Sequence, residues 1–169
     1  KQVDPNGLVE LNNYILEGGF PRTVQIDDLA AKRTYVTGVV NEIFEKDIKR
    51  RVKIKDKAAF EAVRNFVINN FGATSSIKSL TEALEKAGLN ITRATVTKYI
   101  TALVDAKILY DCNRFDMKSK KALAGEKKYY LADLSFYFAQ NTDNRINFGP
   151  VLENIVYIYS RSLDYSVSV

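Results

Sequence analysis

Cationic side chains on two neighbouring segments have the clearest chemical potential in this sequence: Arg93, Lys98, Lys118, Lys120 and Lys121. The first two lie in "ITRATVTKYITALVDAKILYDC", and the other three lie in "MKSKK" a few residues later. Side chains of this type bind the phosphates of DNA or RNA without reading the order of the bases. The net charge of +5 suits a polyanionic partner, although a basic protein need not bind one. These five residues are therefore the predicted nucleic-acid contacts.

The sequence lacks histidine and the nucleotide-binding motifs that many enzymes use. There is no histidine, which removes the commonest general base and metal ligand, and Cys112 is the sole cysteine. A tetrahedral zinc site and a Ser-His or Cys-His nucleophile cannot be built from such a set. Neither a G-x-x-x-x-G-K-[ST] loop nor a G-x-G-x-x-G turn occurs. We expect this chain to have no catalytic residues, no metal and no cofactor of its own.

Length and composition indicate a globular protein. The 169 residues suffice for one domain with a proper core or for two small ones, and a hydrophobic content of 46% is too high for disorder. The apolar runs are too short to span a bilayer, and "KQVDPNG" lacks the apolar stretch of a signal peptide. A single cysteine excludes an internal disulfide. We expect a cytoplasmic protein with no membrane partner.

Apolar periodicity predicts a mainly α-helical fold with a small β-hairpin. Helices are predicted over residues 6–17, 28–51, 57–71, 77–87 and 93–107, and Pro150 starts a last one. Their predicted caps are Asp27 or Asp28, Thr92, and Ser76 with a capping box of Ser79 and Glu82. Strands are predicted in "ILYDCNRFD", "KKYYLAD" and residues 164–169, with "MKSKKALAGE" as a charged loop. Three helices followed by a hairpin with a lysine-rich tip is the order of a winged helix-turn-helix.

The helix predicted over residues 93–107 is a poor reader of base sequence. At about 100° per residue, its buried face collects Val96, Tyr99, Ile100, Leu103 and Val104. Its opposite face collects Ala94, Lys98, Thr101, Ala102 and Asp105. Specific major-groove contacts usually need Arg, Asn or Gln, which this face lacks. We therefore expect phosphate contacts only. The alternatives are docking to protein and, for the hairpin lysines, a solvated tip that guards strand edges.

A second basic stretch is "KDIKRRVKIKDK", at the end of the helix predicted over residues 28–51. It brings seven cations close together: Lys46, Lys49, Arg50, Arg51, Lys53, Lys55 and Lys57. One interpretation is a solvated helix end, which the helix dipole favours. The other is a patch that contacts a polyanion. The sequence leaves both interpretations open.

Several landmarks in a fixed order resemble a known family. They are "YILEGGFPRTV", "EKDIKRR", a helix ending "NNFG", "TVTKYITALVDAKILYDCNRFDMKSKKAL", "KKYYLAD" and "FGPVLENIVYIYSRSL". Together they resemble the C-terminal half of a family of prokaryotic AAA-type ATPases, over nearly the whole chain. The matching patterns are Y-x-x-x-G-G-F-P at residues 14–21, D-I-x-x-R at 47–51, T-V-x-x-Y-x-x-x-L at 95–103, K-x-Y-x-x-D at 128–133 and G-x-x-x-E-N at 149–154. A Gly-Leu pair that often follows the Asp is replaced here by Ser135-Phe136.

The resemblance implies that the ATPase motor, with its ATP and Mg²⁺, lies upstream of this chain. Residues 1–50 would be the end of the ATPase region, and a restriction-endonuclease-like module would begin near Gly149. In that fold a helix carboxylate helps to hold a divalent metal, and Glu153 matches its position. A lone carboxylate is a poor Mg²⁺ site, because that ion needs several oxygen ligands. The alternative for Glu153 is an ordinary solvated helix residue.

These arguments predict three segments. Residues 1–56 form a helical connector at the end of the ATPase region, 57–132 a winged-helix domain, and 133–169 an incomplete nuclease-like element. The predicted function is a non-enzymatic coupling and binding module of a larger ATPase. Its expected partners are the ATPase domain, DNA or RNA without sequence preference, and a second copy in a homo-oligomer. The alternatives are a stand-alone winged-helix DNA-binding regulator and a protein-interaction or oligomerisation domain.

Overall fold

The protein is mainly helical with one small antiparallel sheet, as the sequence predicts. The computed structural model describes residues 5–116, 118, 121–140 and 147–169, except for the side chains of residues 5 and 121–124. The described α-helices are α1 (Pro5–Glu17), α2 (Leu29–Ile43), α3 (Lys49–Arg51), α4 (Lys57–Asn69), α5 (Ile77–Lys86), α6 (Arg93–Asp105), α7 (Ser135–Gln140) and α8 (Phe148–Ser162). The described strands are β1 (Thr74–Ser76), β2 (Leu109–Asp116) and β3 (Lys121–Leu131). Within these ranges no helix has the length and apolarity that a membrane crossing needs.

The predicted N-caps of three helices are confirmed. The side chain of Asp28 accepts a hydrogen bond of 2.7 Å from the amide of Ala31 and starts α2. Thr92 caps α6 in the same way. Ser76 caps α5, but its capping-box partner is Ser79 and not Glu82. Each cap satisfies amide groups that a helix start would otherwise leave unpaired.

The helix predicted over residues 28–51 is a continuous helical stretch with an internal change of winding. α2 passes into a π-helical turn, Phe44–Ile48, and then into α3. Phe44 and Ile48 both lie in the core. A short 3₁₀ helix, Pro21–Gln25, precedes α2, and Pro21 starts it.

One hydrophobic core runs through the molecule. It draws buried side chains from helices α1, α2, α4, α5, α6, α7 and α8 and from both long strands. Among its largest fully buried members are Phe60, Ile68, Leu103 and Leu131. A smaller cluster on the other side of the sheet contains Cys112, Tyr130 and Tyr157. The division into segments 1–56, 57–132 and 133–169 stays a prediction.

The sheet is larger than the predicted hairpin. Its strand order is β1-β3-β2, and the short strand β1 was not predicted. The segment "MKSKKALAGE" was predicted as a loop, which is wrong for its second half, because β3 begins at residue 121 and pairs with β2 from there. The pairing shifts register between Asn113 and Phe115, and Gly125 lies on the opposite strand with a φ of 94°. A glycine tolerates this left-handed conformation, so a bulge forms within the segment that was predicted as a charged loop.

Two further differences follow the hairpin. Helix α7 was not predicted, although it begins at the Ser135-Phe136 pair, whose side chains are both buried. The strand predicted over residues 164–169 does not form. Its backbone-to-backbone bonds with β2 come from the last residue: Val169 donates to the carbonyl of Asn113 at 3.2 Å and accepts from the amide of Phe115 at 2.6 Å.

The loop after α1 is locked to the end of the sheet by Asp133. Its carboxylate accepts hydrogen bonds of 2.8 Å from the amide of Gly19 and from the amide of Ser135, which starts α7. Gly18 has a φ of 77°, and a Cβ built there would lie 2.2 Å from Asp133 Oδ1 and 2.8 Å from the Ser135 amide nitrogen. Only glycine allows this close approach. Gly18 and Gly19 of the Y-x-x-x-G-G-F-P pattern therefore contact Asp133 of the K-x-Y-x-x-D pattern.

We predict that Gly18→Ala destabilises the protein by at least about 2 kcal/mol, because the new Cβ collides with Asp133 and Ser135 and the backbone is left-handed. Urea denaturation followed by circular dichroism measures the loss. Gly38→Ala is the matched control. A Cβ at Gly38, inside α2, meets nothing within 4 Å, so this change should stabilise the helix by up to about 1 kcal/mol. Equal changes in the free energy of unfolding for the two variants would contradict the assigned close approach of Gly18 to Asp133 and Ser135.

Candidate nucleic-acid interface and the attachment of helix α8

The first half of α6 presents its predicted cations to solvent. Arg93 and Lys98 are both exposed. The Lys98 ammonium donates a hydrogen bond of 2.7 Å to the backbone carbonyl of Lys53, in the segment between α3 and α4. This contact fixes the segment against α6. It also leaves the charge of Lys98 without a carboxylate partner among the described residues.

The segment beside α6 adds further cations. They belong to the basic stretch for which the sequence left two interpretations open, a solvated helix end and a patch that contacts a polyanion. Four of the seven basic residues in the stretch pair with carboxylates: Lys46 with Glu42, Lys49 with Glu45, Arg51 with Asp47, and Lys57 with Glu45 and Glu61. Arg50, Lys53 and Lys55 are exposed and make no ion pair with any described residue. Because the carbonyl of Lys53 touches Lys98, these cations lie next to the exposed start of α6. In the sequence, only an acidic residue four positions from a cation could have distinguished the paired cations from the unpaired ones.

The second half of α6 is more covered than its periodicity predicts. Ala102, predicted on the exposed face, is 3% exposed, so that prediction is wrong. It lines a small cavity together with Ile48 and Val52, on the segment that follows α2. Contacts between distant segments of this kind cannot be inferred from the period of one helix. The face open to a partner therefore centres on the first two turns, with Ala94, Thr97, Lys98 and Thr101.

The hairpin places one predicted lysine clearly in solvent. Lys118 is exposed at the tip, and its backbone amide donates a 3.0 Å hydrogen bond to the Asp116 carboxylate. Lys121 is the first residue of β3 and lies opposite Asp116, but its side chain is outside the described residues. Lys120 lies outside them entirely. Near the tip, Arg114 pairs with Glu126 across the two strands.

An apolar cleft of about 320 Å³ separates α6 from the sheet. Thr97 and Thr101 line it from the helix, and Tyr129 lines it from β3. Its two charged lining residues, Asp111 and Lys127, form an ion pair of 2.5 Å. Burial, and then the nearby carboxylate of Asp111, raise the pKa of Tyr129 to about 12, so this phenol stays neutral. The cleft adds no free cation to the exposed face of α6.

Glu153, the predicted helix carboxylate, is engaged in a contact with the sheet. Its Oε1 accepts hydrogen bonds of 2.6 Å from the Lys128 ammonium and 2.5 Å from the Tyr130 hydroxyl. Burial acts to raise the pKa of Glu153, but the hydrogen bonds from Lys128 and Tyr130 outweigh it, and the net pKa is lowered. Burial and the bond to Glu153 raise the pKa of Tyr130. Within the described residues, no three His, Cys, Asp or Glu side chains are grouped to share a metal ion.

The neighbouring Asn154 attaches α8 to the backbone of β3. Its side chain is 1% exposed, accepts a 2.8 Å hydrogen bond from the Leu131 amide and donates one of 3.0 Å to the Leu131 carbonyl. One amide side chain thus replaces the neighbouring strand that Leu131 lacks on this edge. Tyr157, one turn later, stacks on Tyr130 with a centroid distance of 4.1 Å. The G-x-x-x-E-N pattern at residues 149–154 and the K-x-Y-x-x-D pattern at residues 128–133 are therefore in contact where α8 is attached to β3.

We predict that Glu153→Gln lowers the free energy of unfolding at pH 7 by about 1 kcal/mol, since Lys128 loses its anionic partner at a partly solvated site. The pKa of Glu153 is lower when folded than its unfolded value of 4.5. Its contribution is therefore complete above pH 4.5 and disappears as the pH falls through the lowered pKa. Urea titrations of both proteins between pH 7 and pH 3 measure the difference.

Glu82→Gln is the control for this prediction. Glu82 and Lys78 are 3.9 Å apart and largely exposed, so losing their ion pair should cost only a few tenths of a kcal/mol. A difference between wild type and Glu153→Gln that stays constant down to pH 3 would contradict the assigned ion pair.

Comparison with known proteins places most of this chain in a family. Residues 8–145 match the family described as a domain of unknown function, DUF8612. An uncharacterized protein of Methanocaldococcus jannaschii, MJ1544, is 30% identical over 154 residues, which is 91% of this chain and 34% of that protein. An uncharacterized protein of Haemophilus influenzae is 28% identical over 158 residues, 94% of this chain and 39% of that protein.

This chain spans little more than a third of the length of these two curated relatives. No solved structure was found to match it. The match to the family profile covers most of the chain, from α1 to the residues after α7. On this ground the chain belongs to the DUF8612 family, a domain of unknown function.

Proposed function

We propose that this chain is a nucleic-acid-binding and coupling module of a larger AAA-type ATPase. The observation that carries the proposal is the group of unpaired cations from two separate segments around the exposed start of α6. Arg93 and Lys98 come from the helix itself, and Lys53 and Lys55 come from the segment that Lys98 holds against it. Lys118 extends the positive surface to the hairpin tip.

We interpret α4 to β3 as a winged helix. The order is helix α4, short strand β1, helices α5 and α6, and then the hairpin of β2 and β3, with β1 paired on the outer side of β3. The two helices of the helix-turn-helix, α5 and α6, share one hydrophobic core with the long strands. α6 takes the position of the recognition helix, and the hairpin takes the position of the wing.

The chemistry of the exposed α6 face favours contact with phosphates over reading of bases. Ala94, Thr97 and Thr101 lie between the cations, and none of them makes the bidentate contacts with guanine or adenine that specify sequence. Arginine and lysine bind phosphate oxygens in any sequence. The proposed partner is therefore duplex DNA or RNA without sequence preference.

The coupling role rests on contacts between the N-terminal segment and the residues that directly follow the hairpin. Asp133 at the end of β3 holds Gly19, and the Phe20 ring meets the Phe136 ring of α7 edge-on at 5.5 Å. The resemblance to AAA-type ATPases assigns the segment around Gly19 to the end of the ATPase region. A movement of that region would thus pass directly to the hairpin. The greater length of the two relatives leaves room for such a domain.

The other functions have weaker support. A stand-alone transcriptional regulator needs several base-reading side chains on α6, and Arg93 is the only Arg, Asn or Gln in that helix. For a nuclease-like element beginning at α8, Glu153 would have to release Lys128 and Tyr130 before it could bind a metal. A protein-interaction domain is favoured by one specific observation, the exposed apolar side of α8.

We predict that the purified chain binds duplexes of unrelated sequence with similar affinity and that this affinity falls steeply with salt, because binding releases counterions from the phosphates. Arg93→Ala should weaken binding to every duplex alike and reduce the slope of log K against log salt by about 1. Replacing Lys118, Lys120 and Lys121 together by Glu should abolish binding to the duplexes. Fluorescence anisotropy over a range of salt concentrations measures both effects.

A control variant carries the same change of net charge elsewhere. Arg22, Lys46 and Lys78 lie outside the proposed surface on the 3₁₀ helix, the π-helical turn and α5. Changing all three to Glu should leave most of the affinity intact. If this variant loses binding as completely as the hairpin variant, only the total charge matters, and the proposed surface is wrong.

We also predict that the isolated chain hydrolyses no ATP, because its sequence contains no phosphate-binding loop. A coupled-enzyme assay should give the rate of buffer alone, with and without DNA. ATP turnover that stays with the chain through gel filtration would contradict its role as the motor-free part of an ATPase.

A further inference from the structure

The cleft between α6 and the sheet has the size and the lining of a small-molecule site. Its volume is about 320 Å³. A protein cavity of about 150 Å³ binds benzene, so this cleft has room for a compound of two fused rings. Ile77, Ile100 and Val104 supply apolar walls from α5 and α6. Pockets that bind small organic molecules are mostly apolar in this way and carry a few polar groups that orient the ligand.

The hydroxyl of Tyr129 is a polar group of the cleft that lacks a partner. Tyr129 is 5% exposed, and it lines the cleft from β3. Within the part of the chain that the structure describes, no group forms a hydrogen bond with this hydroxyl. Buried polar side chains are nearly always hydrogen-bonded, and a buried hydroxyl without a partner costs free energy. A ligand with a hydrogen-bond acceptor at this point would remove that cost.

The charges of the cleft favour a neutral ligand. Asp111 lies directly opposite Tyr129 on β2, and its carboxylate is bound to the Lys127 ammonium. An anion would therefore meet a carboxylate and no unpaired cation, and a cation would have to displace Lys127 from Asp111. Either ion would lose its hydration without gaining a free partner of opposite charge. The neutral Tyr129 phenol donates a hydrogen bond and adds no charge.

We propose that this cleft binds a small, neutral, apolar compound, of the size of two fused rings, that carries a hydrogen-bond acceptor for the Tyr129 hydroxyl. The ring system packs against Ile100 and Val104, and a planar shape suits the slot between a helix and the face of a sheet. Thr97 and Thr101 are exposed and form the α6 side of its mouth. The proposal does not depend on nucleic-acid binding.

Titration of the isotope-labelled chain with quinolin-2-one, followed by amide chemical shifts in NMR, tests the proposal. This probe is neutral, has two fused rings and carries a carbonyl acceptor. We expect saturable shifts in residues 97–104 and 125–129, with a dissociation constant of about 1 mM or lower, as is ordinary for a compound of about eleven non-hydrogen atoms. The anion 2-naphthoate, of similar size, should bind at least tenfold more weakly. Shifts that do not saturate, or equal affinity for the anion, would overturn the proposal.

Two variants locate the bound probe. Tyr129→Phe removes only the hydroxyl, so it should weaken binding of quinolin-2-one about three- to tenfold. It should leave binding of 1-methylindole, which has no carbonyl, unchanged. Thr101→Trp places a large side chain at the mouth of the cleft and should abolish binding of both compounds. Tyr159→Phe is the matched control, because it removes a hydroxyl from α8, where Tyr159 is 64% exposed.

Thermal unfolding followed by circular dichroism verifies that each variant is folded. If Thr101→Trp does not fold, the comparison of Tyr129→Phe with Tyr159→Phe decides alone. The proposal is wrong if Tyr129→Phe binds quinolin-2-one as tightly as the wild-type chain does, or if a folded Thr101→Trp keeps the affinity for both compounds.

Discussion

A constraint on the backbone of β3 organises the structure. β3 has eleven residues, but on one edge it has only the three residues of β1 as a partner, so the end of the strand must find other hydrogen-bonding groups. The amide of Gly72 donates to the carbonyl of Tyr129, and the side chain of Asn154 satisfies both backbone groups of Leu131. A turn and a distant helix are thereby fixed to one strand. Asp133, two residues after Leu131, binds the loop after α1 through the amide of Gly19.

This arrangement gives the two faces of the sheet different tasks. Tyr129 turns to the α5–α6 side and closes the core there, whereas Tyr130 turns to α8 and stacks on Tyr157. The helix that carries the exposed cations and the helix that has an exposed apolar side therefore lie on opposite sides of the same three strands.

The pairing of charges decides where the net charge of +5 can act. Most lysines of the basic stretch after α2 are neutralised by carboxylates one turn away, and Lys127 and Lys128 are neutralised by Asp111 and Glu153. Lys53, Lys55, Arg93 and Lys98 make no ion pair with a described residue, and they lie on α6 or on the segment that contacts it. The α8 side of the sheet holds paired charges and aromatic rings.

The sequence predicted those parts of the structure that depend on nearby residues. Helix positions, and the caps Asp28, Ser76 and Thr92, follow from spacing and local hydrogen bonding, and they are confirmed. β1 is three polar residues without an apolar alternation, and it exists only because β3 lies beside it. The burial of Ala102 depends on a segment fifty residues away. Arg93, Lys98 and Lys118 are exposed as expected, but the addition of Lys53 and the engagement of Glu153 come from long-range packing.

The central claim is that the start of α6, its flanking segment and the hairpin tip form one nucleic-acid surface. Chemical-shift mapping by NMR tests it most directly, by titrating the isotope-labelled chain with a short DNA duplex of arbitrary sequence. We expect the largest amide shifts in residues 53–55, 93–101 and 116–121, and we expect the same shifts with a second, unrelated duplex. Shifts concentrated on α1, α7 or α8, or no shifts at low salt, would contradict it.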